Sequence, residues 1–149
     1  MLPDGGAGDL HGVAEQRLRR ADQRYTAGRR AIVELLVSAG RPVSIGDIAD
    51  HLPELPRSSA YRHLTDLESA GLVRRVAASD EFTRFELAED LTEHHHHLLC
   101  VNCGKVIDVR LPAGFEHELT SAISQLAGAE GFQPGAHRLD VLGTCADCG

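Results

Sequence analysis

Two cysteine pairs constrain this chain more than any other feature: Cys100-Val-Asn-Cys103-Gly and Cys145-Ala-Asp-Cys148-Gly. Each C-x-x-C knuckle turns two thiolates toward one ion while backbone amides can point at the sulfurs, and four thiolates suit a closed, tetrahedral zinc site. The 41 residues between the pairs exceed the spacing of a zinc ribbon. A single ion would therefore pin the end of the sequence back to the start of its own lobe, which is a structural task. Free or redox-active cysteines are the alternative, but two paired knuckles rarely arise without a metal. No apolar run approaches the ~18 residues of a membrane span, and the opening MLPDGGAGD lacks the basic-then-apolar pattern of a signal peptide. A cytoplasmic, reducing setting is expected, in which paired cysteines hold metal and do not form disulfides.

Four consecutive histidines, His94, His95, His96 and His97, run into the first knuckle. If the segment enters a strand, alternate side chains point to opposite faces, so His94 and His96 face one way and His95 and His97 the other. One tetrad can then serve two metal sites; the competing reading is a solvated polar linker. Further candidate ligands are Glu86, Asp90, Glu93, Glu116, His117, Glu118 and His137. Imidazoles with a carboxylate suit zinc, ferrous iron, manganese or nickel about equally, so the metal cannot be read from ligand type. His11, His51 and His63 are expected to be surface or packing histidines.

The preceding residues read differently. Residues 1–8 are rich in Gly and Pro and are expected to be disordered. A helix from Asp9 carries Arg17, Arg19, Arg20 and Arg24 with few apolar positions to bury. Thr26 can cap a second helix with Ile32, Leu35 and Leu36 on one stripe, ended by Gly40. Ser44 with Asp47 three residues on resembles an acidic capping box for a short helix that buries Ile45 and Ile48 and stops before Pro53. A helix over 57–70 follows, with Ala60, Leu64 and Leu67 as its core stripe and Gly71 as its stop; Ser58, Tyr61, Arg62 and Thr65 share the opposite face. Leu72, Val73 and Val76, a polar tip at residues 78–81, then Phe82, Arg84, Phe85 and Leu87 read as a β-hairpin.

Helices followed by a short hairpin predict a winged helix-turn-helix over residues 9–87, against the alternative of a small helical domain with a solvated face. Residues 88–94 read as a polar hinge linker. Residues 95–149 read as a small α/β lobe with strands at 95–101, 106–111 and 136–142 and a helix near 114–127, so the whole is α+β. A formal charge of -7 argues against a nucleic-acid binder until it is divided. Residues 1–86 hold 12 of the 15 basic side chains against 13 acids, and residues 87–149 hold three against nine. Only the first part permits DNA contact. There Tyr61 can meet a thymine methyl and Arg62 a phosphate or guanine, with Ser58, Ser59 and Thr65 beside them; Arg29, Arg30, Arg74 and Arg84 are candidate phosphate contacts.

Tyr61-Arg62-x-Leu64, the run His-His-His-His-Leu-Leu-Cys-x-x-Cys-Gly, and His137-x7-Cys145-x-x-Cys148 together resemble the ferric uptake regulator (Fur) family over about residues 20–149. The resemblance implies a winged-helix domain joined to a dimerisation domain, with metal closing the hinge so that a homodimer fits operator DNA. It implies that Cys100, Cys103, Cys145 and Cys148 hold structural zinc. His95 and His97 would belong to a regulatory hinge site with Glu86, with Asp90 or Glu93 as other candidates. His94, His96 and His137 would form a further site with Glu116, or with Glu118 as the fallback. A ligand from the DNA-binding domain is usual in the family, yet the aligned positions hold Pro42 and Arg74.

The implied function is a non-enzymatic, metal-dependent repressor controlling iron or zinc uptake or homeostasis genes, with zinc or iron(II) as the second, sensed metal. The ending Gly143-Thr-Cys145-Ala-Asp-Cys148 resembles zinc-sensing members, although no fifth cysteine is present for their hinge site. A peroxide-sensing member would need an aspartate in the hinge set holding ferrous iron beside an oxidisable histidine, a place Asp90 could take. A zinc hydrolase or deaminase is the rival class. A catalytic zinc needs an open position and a nearby general base, and the H-x-E with P-C-x-x-C signature is absent because neither knuckle follows a proline.

Overall fold

The computed structural model describes residues 6–77, 79, 81 and 83–149. Residues 1–5 of the expected disordered start, and Ala78, Asp80 and Phe82 of the expected hairpin tip, lie outside the described residues. The first helix, α1 (Gly6–Arg20), begins three residues before the position read from the sequence. It is also a core helix and not a polar one: Leu10, Ala14 and Leu18, four apart on one stripe, are all buried. The arginines at its end had masked that stripe.

The next helix, α2 (Ala27–Ala39), is capped as expected. The Thr26 side chain accepts from the Arg29 amide, and Gly40 ends the helix at φ 62°, a left-handed conformation open to glycine without a Cβ clash. Ser44 and Asp47 form a reciprocal capping box at the start of α3 (Ile45–His51). The recognition candidate, α4 (Arg57–Ser69), buries Ala60, Leu64 and Leu67 against α2 and α3. Its other face leaves Tyr61, Arg62 and Thr65 exposed.

Strands β2 (Val73–Val76) and β3 (Arg84–Leu87) pair antiparallel as the wing. A third, two-residue strand, β1 (Val43–Ser44), joins β3 on its other edge and gives the order β1-β3-β2. This strand was not read from the sequence because two residues carry no period. Phe85, in the central strand and 1% exposed, anchors the sheet to the helices.

The linker is more structured than its polar composition suggests. Residues Glu89–Leu91 form a 3-10 turn, and Leu91 is buried in the core of the first domain. Arg17 of α1 holds the turn by pairing with Asp90 and donating to the Gly71 carbonyl at 2.7 Å.

The second domain is a mixed sheet, β5 (Val106–Val109), β4 (His96–Cys100) and β6 (Asp140–Gly143) in that order, with α5 (Ala113–Ala129) between β5 and β6 in sequence. β4 runs antiparallel to β5 and parallel to β6. α5 has no fully buried residue, and Phe115, Leu126, Ile107, Val141 and Leu142 are between 41% and 71% exposed. An apolar surface this extensive on so small a lobe is the mark of an interface. Two arginines join the domains. Arg84 donates to the Gly104 carbonyl at 2.9 Å, and Arg138 to the Arg75 carbonyl at 3.0 Å.

Candidate metal centres

Among the described residues, three groups of side chains bring one donor atom each to within 4.8 Å of one another. All three are built around strand β4.

The first group is Cys100, Cys103, Cys145 and Cys148. Cys103 and Cys145 place their sulfurs 3.7 Å apart. Zinc–sulfur bonds of about 2.3 Å in a tetrahedron require sulfurs about 3.8 Å apart, so the donor set fits zinc. The Cys145 amide donates to Cys100 Sγ at 3.4 Å. Such amides, from Cys145 and Cys103, bring the Cys100 thiol down to about 6 and favour the thiolate a metal requires. The two knuckles meet beside the end of β4, where an ion held by all four sulfurs would tie residues 145–148 to that strand.

The second group is His94, His96, Glu116 and His137. Glu116, from the first turn of α5, lies 2.8 Å from His94 Nε2, 2.9 Å from His96 Nε2 and 2.7 Å from His137 Nε2. Desolvation pushes the Glu116 carboxyl up, but the three imidazoles outweigh it and bring it down to about 2. Glu118 and His117 are exposed and stand outside the group, so the helix phase selects Glu116. Glu89 contacts the other ring nitrogen of His94 and would orient that imidazole.

The third group spans the two domains: Glu86 from the wing strand β3, His95 immediately before β4, His97 within β4, and Asp108 from β5. Glu86 Oε2 is 3.0 Å from His95 Nε2 and 3.3 Å from His97 Nε2, and Asp108 Oδ1 is 3.6 Å from His97 Nε2. Both Nδ1 atoms are engaged outside the group, His97 with Asp140 at 2.9 Å and His95 with the Glu93 carbonyl at 2.8 Å. With Nδ1 held as a donor on the outside, each Nε2 points inward at Glu86 and would offer its lone pair to an ion that displaced its proton, as in ligating histidines. Burial pushes the Glu86 carboxyl up, but hydrogen bonds from His97 and His95 and the charge of Arg74 prevail and bring it down to about 2. Two imidazoles and two carboxylates fit a borderline or hard divalent cation such as iron(II), manganese or zinc.

Sequence reasoning missed Asp108. Its signal was an acid in an otherwise apolar strand, Val106-Ile107-Asp108-Val109, but only strand register shows its use. His97 pairs with Asp108 on one side and Asp140 on the other, so all three side chains share a face. The two acids considered instead are engaged elsewhere. Asp90 is paired with Arg17, and Glu93 with Arg110 at 2.6 Å, offering the site only its carbonyl.

The DNA-facing candidates divide similarly. Ser58, Tyr61, Arg62 and Thr65 are exposed on α4, with Ser59 half-buried beside them, and Arg30 is exposed on α2. Arg29 is turned inward, 8% exposed, with Asp66 at 2.5 Å. Arg74 is held at 2.6 Å by Glu86, and Arg84 by Gly104 and Asp47. Arg29, buried, and Arg74, half-buried, are thus occupied as counter-ions to Asp66 and Glu86 and are not free for DNA. Position 74, where a domain ligand was sought, carries a cation, and Pro42 is buried. His11 contacts Tyr25 and Glu34, His51 the Asp47 carbonyl, and His63 packs near Gly28, none of them in a metal group.

Comparison with known proteins agrees with this geometry. The Peroxide operon regulator of Bacillus subtilis is 31% identical over 140 residues, covering 91% of this chain and 90% of its own. The ferric uptake regulator of Pseudomonas aeruginosa, solved with manganese, superposes with a TM-score of 0.70 at 28% identity over 90% of this chain and 98% of its own. That of Helicobacter pylori does so at 0.72 and 22% identity, with 93% of each chain covered, which speaks for the fold alone. The sequence model described as the Ferric uptake regulator family matches residues 20–142. With its winged domain, four-cysteine centre and histidine–carboxylate groups in place, the chain belongs to the ferric uptake regulator family of metal-binding, DNA-binding transcriptional regulators.

Proposed function

We propose that this protein is a homodimeric repressor whose Glu86–His95–His97–Asp108 group is the regulatory metal centre, and that with ferrous iron there it responds to peroxide. The observation that carries the reading is the origin of the four donors. Glu86 belongs to the wing of the DNA-binding domain and the other three to the second domain, so an ion bound by all four favours one angle between the domains. A ligand shifts a conformational equilibrium only by its differential affinity for the two states, and a centre split across a hinge supplies that difference. The cysteine group lies wholly in one domain and suits structural zinc; the Glu116 group is a second, supporting site within the dimerisation lobe, which pairs through its exposed apolar face.

Asp108 supports the peroxide reading over one of metal supply alone, since it gives the hinge an aspartate beside two imidazoles. The similarity to a relative named for peroxide points the same way. Iron(II) at the site would supply electrons to cleave the peroxide O–O bond, with His95 and His97 as the adjacent oxidisable groups. In the test, protein loaded with iron(II) or manganese is bound to promoter DNA and treated with hydrogen peroxide. Loss of binding in the iron form only, with one oxygen atom added to the peptide carrying His95 and His97, is the expected result. Metal-dependent binding that survives peroxide in both forms would leave iron or zinc supply as the signal. Binding indifferent to metal would remove the regulatory role.

A further inference from the structure

Among the described residues, Arg74 is a charged side chain at the hinge centre to which the proposed function gives no role. It stands opposite Glu86 in the β2–β3 register, so the backbone itself fixes their pairing. Its Nε donates to Glu86 Oε1 at 2.6 Å, and its Nη1 lies 3.7 Å from Glu89, which keeps the guanidinium from turning to solvent. The pair is enclosed, with side chains 15% and 8% exposed. On the far side of the carboxylate, Oε2 faces His95 at 3.0 Å, while His97 is shared between the two oxygens at 3.2 and 3.3 Å.

We propose that Arg74 is a built-in cation of the hinge centre, holding Glu86 as a one-oxygen ligand and weakening divalent-cation binding there by its standing charge. The inference rests on the regulatory reading of this centre and adds what sets its threshold. With Glu86 and Asp108 alone, an incoming ion would meet two negative charges. Arg74 cancels one of them across a single carboxylate, in a setting with little water to screen the repulsion. The guanidinium stays charged at any accessible pH, so this opposition does not titrate away. Its hold on Oε1 also leaves that oxygen unavailable to chelate, so that Oε2, the two Nε2 atoms and Asp108 are the donors that would hold an ion.

Charge and orientation predict opposite signs. Losing an outer partner that merely orients a ligand weakens metal affinity about 10- to 100-fold, whereas losing an opposing charge strengthens it. The zinc-containing full-length protein, with the hinge centre emptied by a mild chelator, is titrated with manganese while free manganese is followed by electron paramagnetic resonance. The hinge signal is identified by its absence in the H95A/H97A protein. Arg74→Gln, which keeps a donor and removes the charge, is expected to tighten hinge binding about tenfold, and Arg74→Lys to leave it within about twofold of the parent. Weaker or unchanged binding in Arg74→Gln, or equal tightening in Arg74→Lys, overturns the proposal while leaving the regulatory reading intact. No hinge binding in the parent and in Arg74→Gln alike would instead defeat the regulatory reading and the proposal with it. Should Arg74→Gln fail to fold, a crystal structure of the manganese-loaded parent decides. Glu86 bound through one oxygen with Arg74 on the other supports the proposal, and both oxygens on the metal with Arg74 turned away refutes it.

Discussion

Replacing Arg29 with Met separates a packing arginine from a DNA-binding one. Arg29 is 8% exposed and donates to Asp66 Oδ2 at 2.5 Å, to the Arg24 carbonyl at 2.5 Å and to Gln23 Oε1 at 3.0 Å, bracing α2 against α4 and the turn before α2. Hydrogen bonds from a charged group contribute about 1.5–3 kcal/mol each. Removing the buried charge offsets much of that loss, because Arg29 is desolvated and its Nε has no partner. Asp66, with 24% of its side chain exposed, retains access to water after the change. The net cost is about 2 kcal/mol, or a melting temperature lower by about 4–8 °C for a chain of this size. Operator affinity of the metal-loaded protein, measured by fluorescence anisotropy over a salt series well below the transition, tests the other role. Each lost phosphate contact reduces the slope of log K against log salt by about 0.9, hence about 1.8 for two protomers. The slope is expected to stay unchanged while stability falls. A slope reduced by about 1.8 with unchanged melting would refute the packing assignment.

The paired histidine variants should differ. His95→Ala with His97→Ala is expected to abolish metal-dependent operator binding, and His94→Ala with His96→Ala to lower metal stoichiometry while leaving part of the response; identical behaviour in gel-shift and metal analysis would rule out two separate centres. Cys145→Ser should unfold or dissociate the second lobe, since tetrathiolate zinc supplies on the order of ten kcal/mol in small domains, and a stable, metal-responsive dimer by sedimentation would contradict this. Asp47→Asn should cost about 1 kcal/mol in urea unfolding at neutral pH. Partial burial pushes the Asp47 carboxyl up, but the Ser44 amide and Arg41 prevail and hold it below its ordinary value. Its contribution is therefore present above the unfolded-state pKa and lost as pH falls through the folded one, so parent and variant should converge in acid; a constant gap would exclude the carboxylate as its source.

The sequence alone determined the features that depend on local spacing. The knuckles, the alternation that sends His94 and His96 one way and His95 and His97 the other, the caps at Thr26 and Ser44, and the apolar stripe of α4 all follow from a few neighbouring residues and a fixed backbone period. The preference for Glu116 over Glu118 came only with the family resemblance, and it is the structure that puts Glu116 with the histidines and leaves Glu118 exposed. The histidine run and the knuckles by themselves carry the resemblance to the family.

Tertiary structure decided which charges meet. Asp108 enters the hinge centre because β5 lies antiparallel to β4 in one particular register, and Asp140 backs His97 because β6 lies parallel on the other side. Asp90 leaves it because α1 packs beside the linker turn and supplies Arg17. Arg29 and Arg74 look like DNA contacts in a list of basic residues, yet each faces a carboxylate on another element, Asp66 on α4 and Glu86 on the paired strand. Charged side chains are long and polar at any exposure, so no periodicity marks whether one of them is solvated or buried. Their partners are fixed by the packing of apolar stripes and by strand register, which the sequence encodes only through the fold as a whole.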